Sequence, residues 1–496
     1  MKALKRFAVT LLIMGFVAAG STWAQTMKMP PATSGGKAEQ ENMQHHHGNI
    51  APVKAEYPRM GRAQEEASGP LVTLEQVEAI ARQMNPTLRQ AEAGIRAARS
   101  RELQAGLYPN PTVGYTGDEI RGGSVGGGKQ GFFVQQTVVT GGKLGLSRGV
   151  FSKETKLAET EAEEQKVRVE SAVKLAFLRV LAAQELLDAR QGLAKIAQDA
   201  AETQGRLMNT GQADETEVLQ AQVEMQRMRV AARMQENTLR EEWRSLAAVI
   251  GQPSLPMATV AGDLEKGWPE LNEEQVLETI AKDSPAVHIA EIAKARADGL
   301  FARARKEALP DLLVRGGMEY NHETLGSVPF AKGWEGIAEV SVQLPIFNRN
   351  QGDVGAANAE IGRAEDERTR ISLMLRERAA SVVDQYANAR LMAVEYREEI
   401  LPLAKKSYGL MVDKYGRMLA SYPRVLETQK KLYELQVEYI ATLEGVWSNG
   451  IALQGYLLTD GLEGPARPGE MDRPVRETNV PLPERLPSTS GAMSRP

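Results

Sequence analysis

Apolar positions in this chain recur on two periods. Over most of its length they return every three or four residues, the spacing of a helix face; in a few short stretches they return every second residue, the spacing of a strand. The longest helical stretch runs from Ser152 to about Met208, without proline and with only Gly192 and Gly205 as weak points. At about 1.5 Å per residue it predicts a helix of roughly 80 Å, far longer than a globular domain needs. Val169, Val173, Phe177, Val180 and Leu187 form one apolar row on it, and Leu175, Leu178, Leu181 and Leu186 a second, offset row. Two rows suit a helix touched on both sides, as in the wall of a cylinder; an antiparallel coiled coil is the simpler alternative. Its partners are predicted over Glu215 to Ile250, Gly355 to about Lys414, and Pro423 to Leu458.

The clearest period-two stretch is GIAEVSVQLPIF, 336 to 347. Ala338, Val340, Val342, Leu344 and Ile346 fall on one side, with Glu339, Ser341 and Gln343 on the other. In PDLLVRGGMEY, Leu312, Val314, Met318 and Tyr320 oppose Arg315 and Glu319. PTVGYTGDE and GFFVQQTVV are less regular strands, the latter mixing Gln136 among Phe132, Val134 and Val138. Such alternation fits two settings: a hairpin half-buried on a soluble sheet, or the wall of a transmembrane β-barrel, which strands of about ten residues can cross.

The chain repeats itself. The segment from Glu75 to Pro111 returns from Glu274 to Pro310, displaced by 199 positions without a gap, with Pro86 matching Pro285 and Pro111 matching Pro310. Further on, Val218 and Leu219 match Val425 and Leu426 at a displacement of 207. Each copy therefore reads as helix, two strands, long helix, tight break, long helix. The predicted organisation is a leader (1–24), a Met- and His-containing disordered segment (25–70), a first repeat (71–262), a second repeat (263–460) and a disordered Pro-rich tail (461–496).

Lys2, Lys5 and Arg6 before the apolar run Phe7 to Ala19, with small residues at Thr22 and Ala24, have the form of a secretory signal peptide cut after Ala24. Removing those three cations takes the formal charge from −4 to −7. Among the 496 residues there is no cysteine, which excludes disulfides, thiolate metal sites and a cysteine-linked lipid. Aromatics are only 5% and charges of both signs are interleaved, which favours partly solvated helices and gives no basic footprint for nucleic acid. No later run has the apolar length of a membrane helix, so a membrane crossing would have to use strands. Four strands cannot close a barrel and an open edge is not viable in lipid, so that reading requires an oligomer.

The segment NPTLRQAEAGIRAARSRELQAGLYPNPTVGY resembles the signature of the TolC-type outer-membrane efflux proteins, and PIFNRNQGDVGAA (345–357) resembles its second-repeat counterpart. The resemblance spans roughly residues 70 to 460; IFNRNQG and VTGGK are closest to members serving heavy-metal cation exporters. It implies a mainly α fold with a small transmembrane β part: a homotrimer with a shared 12-stranded barrel, four strands per chain, on a long α-helical barrel. It also implies residence in the outer membrane of a Gram-negative bacterium with the helices in the periplasm. The implied role is the passive exit duct of a tripartite pump, with a periplasmic adaptor and an inner-membrane RND-type pump as partners and no cofactor. Pro109, Pro111, Pro310 and Pro345 would then mark the change from tunnel to barrel. Rival readings are a duct for organic drugs or a secreted protein, a periplasmic coiled-coil scaffold or adaptor, and an exported enzyme.

No catalytic pattern stands in a plausible context, and His288 and His322 are isolated. The breaks RLMNTGQADETEV and KYGRMLASYPRV are helix–helix turns, in which Gly211 suits a C-cap, Asp214 an N-cap and Pro423 a first turn. In the family such turns form the periplasmic tip, which makes Gly211, Asp214, Gly416 and Ser421 candidate adaptor contacts. Glu427 falls where members carry an acid ringing the closed entrance, and Arg424 stands where a second acid is expected. The other reading of Glu427 is an exposed carboxylate paired with Lys430 or Lys431. His45, His46 and His47 with Met27, Met29 and Met43 form a ligand set that suits copper or silver, or else a plain polar linker.

Overall fold

The computed structural model describes residues 57–58, 60–61, 71–118, 128–322 and 332–465. The leader, the Met27–His47 ligand set and most of the C-terminal tail lie outside the described residues. What is described falls in one compact unit. Its elements are, in order, α1 (Leu74–Met84), α2 (Pro86–Ala105), β1 (Thr112–Asp118), β2 (Lys129–Val138), α3 (Lys143–Asn209) and α4 (Glu215–Val249). The plan then returns as α5 (Glu273–Asp283), α6 (Pro285–Lys306), β3 (Leu312–Asn321), β4 (Gly333–Val342), α7 (Gln351–Glu395), a π-turn (Tyr396–Ile400), α8 (Leu401–Gly416) and α9 (Tyr422–Gln454). The internal duplication is thus structural as well as sequential.

Four expectations change in detail. The opening helix of each repeat is two helices, because proline has no N–H to give and forces the preceding residue out of the α region. Pro86 and Pro285 therefore begin α2 and α6, with Asn85 and Ser284 extended at the breaks. Asn85 is fully buried, and its Oδ1 accepts from the Thr87 amide at 2.8 Å while its Nδ2 donates to the Val249 carbonyl at 2.7 Å. α3 starts nine residues before Ser152 and has 67 residues, so it is about 100 Å long. The predicted helix 355–414 begins earlier, at Gln351, and is interrupted ahead of Pro402. Without a proline N–H for the Glu398 carbonyl the ladder widens, and the Leu401 amide reaches back five residues to the Tyr396 carbonyl. Finally, β4 is Gly333–Val342 rather than 336–347. The register that sets Leu312 against Val342 would put Pro310 opposite Leu344 and Pro345 opposite Leu309, and neither proline can donate to the ladder.

α3 is the spine. Val169, Val173, Phe177 and Val180 are buried, as are Leu175 and Leu181 of the offset row. The helix packs on α2, α4, α6 and α9, so both of its apolar rows are used. Burying each such side chain stabilises the packing by about 1.5–3 kcal/mol. The four strands form one antiparallel sheet in the order β1-β2-β3-β4, the two hairpins joining through β2 and β3. Val72 bridges Val260 in parallel fashion, tying the start of the first repeat to its end.

Candidate functional site

Three places on this frame carry features that packing alone does not require: the helix–helix turns, the helix–strand junctions and the two faces of the sheet.

The two turns are five residues each and follow one design. Thr210 closes α3 and Gly211 takes φ +74°; the Gly211 amide donates to the Met208 carbonyl at 2.9 Å and the Gln212 amide to the Leu207 carbonyl at 2.8 Å. This is a Schellman ending. Asp214 then caps α4, its carboxylate accepting from the Glu217 amide at 2.8 Å. In the second turn the left-handed residue is Met418 (φ +60°), not Gly416, which is the last helical residue. The same pair of bonds recurs, Met418 to Tyr415 at 2.9 Å and Leu419 to Lys414 at 2.8 Å. The displacement of 207 maps Gly211 onto Met418 and Asp214 onto Ser421, and applying it to the turn is the signal that would have found Met418. Ser421 occupies the N-cap without a side-chain bond, and Pro423 lies in the first turn of α9.

Gly211, Asp214, Gly416 and Ser421 are all exposed. A short way above the turns, Lys430 of α9 bonds and ion-pairs with Glu224 of α4, so both turns sit at the same end of the unit. That bond holds the Glu224 carboxyl below its ordinary range. Arg424 and Glu427 are exposed on the first two turns of α9. The pairing of Glu427 with Lys430 or Lys431 does not form: Lys430 goes to Glu224, and Lys431 lies 4.0 Å from Glu434.

At the opposite end the prolines stand between elements: Pro109 and Pro111 between α2 and β1, Pro310 between α6 and β3, Pro345 between β4 and α7. Around them the freed backbone groups find partners. Gln136 Nε2 donates to the Pro109 carbonyl at 2.8 Å, Thr140 Oγ1 to the Pro310 carbonyl at 2.6 Å, and the Thr140 amide to Asp311 at 2.9 Å. Buried Lys143 closes the joint on Asp311 at 3.0 Å. Both strand-to-long-helix corners turn on a left-handed residue, Gly142 (φ +71°) and Asn350 (φ +60°), and Asn350 Nδ2 also donates to the Ala304 carbonyl at 3.0 Å.

Cross-strand register sorts the sheet into two unlike faces. One carries the rows Tyr115–Phe132–Met318, Val113–Val134–Ala338, Val314–Val340 and Val138–Leu312–Val342, with Tyr320 and Trp334 in contact at its far end. Nearly all of these large apolar side chains are exposed; Val113 and Val340 reach 71% and 70%. Gln136, the polar intruder, spends its amide on Pro109. The other face is polar. Arg315 lies 4.0 Å over the Phe133 ring and 3.9 Å from Glu339, and Lys129 is 2.9 Å from Glu335 and 4.0 Å from Glu319. Among the described residues no group of three or more His, Asp or Glu is arranged to hold a metal ion, and no helix is long and apolar enough to cross a membrane.

A duplicated helical chain that ends in one small sheet, lipid-like on one face and charged on the other, defines the class of long-helix proteins with a strand-built membrane part. The sequence is similar to one family in particular: residues 79–252 match the family model of outer membrane efflux proteins. The chain is 24% identical over 378 residues to the cobalt-zinc-cadmium resistance protein CzcC of Cupriavidus metallidurans, covering 76% of this chain and 88% of the relative. It is 24% identical over 315 residues to the nickel-cobalt-cadmium resistance protein NccC of Alcaligenes xylosoxydans xylosoxydans, covering 61% and 68%. The fold matches that of CusC, whose crystal structures concern transmembrane channel formation, with a TM-score of 0.62 at 16% identity over 77% of this chain and 91% of CusC. The resemblance to TolC-type outer-membrane efflux proteins, and among them to heavy-metal resistance components, therefore holds.

Proposed function

We propose that this protein is the outer-membrane exit duct of a tripartite efflux pump and that its cargo is heavy-metal cations. The observation that carries this reading is the sheet: a water-soluble sheet would not leave one face apolar and exposed along all four strands. β2, β3 and β4 have ten residues each; at about 3.3 Å per residue and tilted by about 40°, such strands span the roughly 25 Å apolar band of a barrel. β1 and β4 are open edges, which lipid does not tolerate. Three chains, each pairing its β1 with the next chain's β4, remove every edge in a ring of twelve strands. The names of the two heavy-metal resistance relatives support the cargo.

In this arrangement the helices continue the barrel as a periplasmic tunnel, and the prolines at 109, 111, 310 and 345 end one geometry where the other begins. The exposed turn residues Gly211, Asp214, Gly416 and Ser421 meet the adaptor, and Arg424 and Glu427 stand at the entrance. Transport through the duct is passive, the energy coming from an inner-membrane partner. Fractionation tests the location: the protein is expected with outer-membrane vesicles as a cross-linkable trimer, and recovery only in the soluble periplasmic extract sinks the duct. Deletion tests the cargo: the expected phenotype is sensitivity to cobalt, zinc or cadmium, and sensitivity confined to organic drugs removes the metal assignment.

A further inference from the structure

The polar face of the sheet holds an arrangement that neither its packing nor the turns account for. Glu319 of β3 and Glu335 of β4 stand directly opposite each other, and like charges in that position repel. Lys129 of β2 lies near both, but at 2.9 Å from Glu335 and only 4.0 Å from Glu319, so one ammonium is shared between two carboxylates. Asn321 Nδ2 donates to the Glu335 Oε1 at 2.8 Å. The Glu319 side chain is 8% exposed, and its Oε2 is buried with no hydrogen-bond partner. A buried, unpaired carboxylate oxygen is costly and calls for an explanation, commonly a bound ion or water.

The neighbouring strand is shaped to admit this side chain. Gly131 faces Glu319 across the β2–β3 ladder, and a Cβ placed there would lie 2.1 Å from the Met318 carbonyl oxygen and 2.4 Å from the Glu319 Cα. Only glycine lets the strands close over the glutamate. The cluster is at the hairpin-loop end of the sheet, remote from the helices, with Asp118 of β1 exposed beside Lys129 in the same row.

We propose that Glu319 and Glu335 form a divalent-cation station at the outer mouth of the barrel, with the Lys129 ammonium holding the place of the cation between passages. The proposal rests on the channel reading, since it needs the polar face to line the lumen. Two carboxylates are too few ligands for a resident metal, which takes six to eight oxygens in the case of calcium. They are enough to exchange waters with a hydrated divalent ion, and weak binding is what conduction requires. Repeated around a trimer, three such stations bias the mouth toward cations and against anions.

Reconstitution of the full chain in planar bilayers under a KCl gradient tests this, with CoCl2 then added on the mouth side. Wild-type channels are expected to select K+ over Cl− and to lose K+ current as Co2+ occupies the stations. Replacing Glu319→Gln and Glu335→Gln together keeps the shapes and removes both charges. It should lower the permeability ratio about threefold or more, the effect of one unit charge about 6 Å away in water, and raise the Co2+ concentration needed for block. Lys129→Gln should act in the opposite direction, raising cation preference and tightening the block. A merely structural network predicts no such opposition of sign. Conducting channels whose selectivity and block are the same in the wild type and both variants overturn the station and leave the duct standing. A wild-type protein recovered only in the soluble periplasmic extract, with none inserting into bilayers, overturns both.

Discussion

The close crossing of α3 and α9 yields the sharpest energetic prediction, because two ordinary effects oppose each other there. Gly192 lies inside α3, where replacing glycine by alanine usually stabilises a helix by about 1 kcal/mol. A Cβ at Gly192 would stand 2.2 Å from Cε1 of Tyr433, against a normal carbon contact of about 3.5–4.0 Å. Tyr433 is 5% exposed and packs with Leu193, Ile196 and Leu426, so its ring has nowhere to retreat. Overpacking of this kind costs about 1–3 kcal/mol. The clash should win, and Gly192→Ala should destabilise the protein by about 1 kcal/mol net, lowering its thermal midpoint by about 1 °C. Gly205 is the control: it lies on the same helix, and a Cβ there meets nothing within 4 Å. Gly205→Ala should therefore stabilise by about 0.5–1 kcal/mol, the propensity gain alone. The assay is far-UV circular dichroism of the purified protein in detergent, with urea and heat as perturbants. Adding Tyr433→Leu to Gly192→Ala should recover much of the loss, giving a coupling energy of about 1 kcal/mol. Equal shifts for the two glycine variants, or a more stable Gly192→Ala, would refute the reading of the crossing.

Further expectations follow from single contacts. Met418 holds a left-handed backbone that costs a non-glycine residue about 1 kcal/mol, and its side chain is 89% exposed, so Met418→Gly should slow hydrogen exchange through residues 414–422. Burial raises the Glu185 carboxyl to about 7, against the pull of the Gly61 amide that donates to it at 2.7 Å. With the folded pKa raised, its contribution is full below about pH 4.5 and is lost as pH climbs through 7. Glu185→Gln should thus be near neutral at pH 5 and stabilising at pH 8, read from thermal midpoints. Glu224 has the reverse sign: Lys430 lowers its pKa, so the tie between the hairpins is present at neutral pH and is lost on acidification through the lowered value. Glu224→Gln should make the turn end more sensitive to limited proteolysis at pH 7, with the difference from wild type vanishing in acid.

The parts of the fold legible in the sequence were those written in local periodicity. The two apolar rows of α3, the alternation in β3 and β4, and the caps at Gly211 and Asp214 each depend on residues within a few positions of one another. The misjudged boundaries trace to residues whose effect is conditional. Pro86 and Pro285 close a helix or open the next one depending on whether the preceding residue can be extended, and Asn85 can be because its amide is satisfied by Val249, 164 residues away. Pro402 is accommodated by a single wide turn rather than a break. Met418 escaped notice because methionine rarely takes positive φ, and only its match to Gly211 gives it away.

The carboxylate pair was out of reach for a different reason. The alternation of β3 puts Arg315 and Glu319 on the polar side, but which residue of another strand they meet is a property of register, and register is set by the joining turns and the buried pattern together. A slip of one residue between β3 and β4 would set Glu319 against Trp334 or Gly336 and turn the apolar side chains of β4 onto the polar face. The sheet avoids that slip because an odd shift would break the apolar rows that run across the strands. The lipid-facing pattern thus determines the opposite face as well. Once Phe132 aligns with Met318, Glu319 stands beside Gly131, and once Val314 aligns with Val340 it stands opposite Glu335, so the register that builds the barrel wall also sets the charges on its other face.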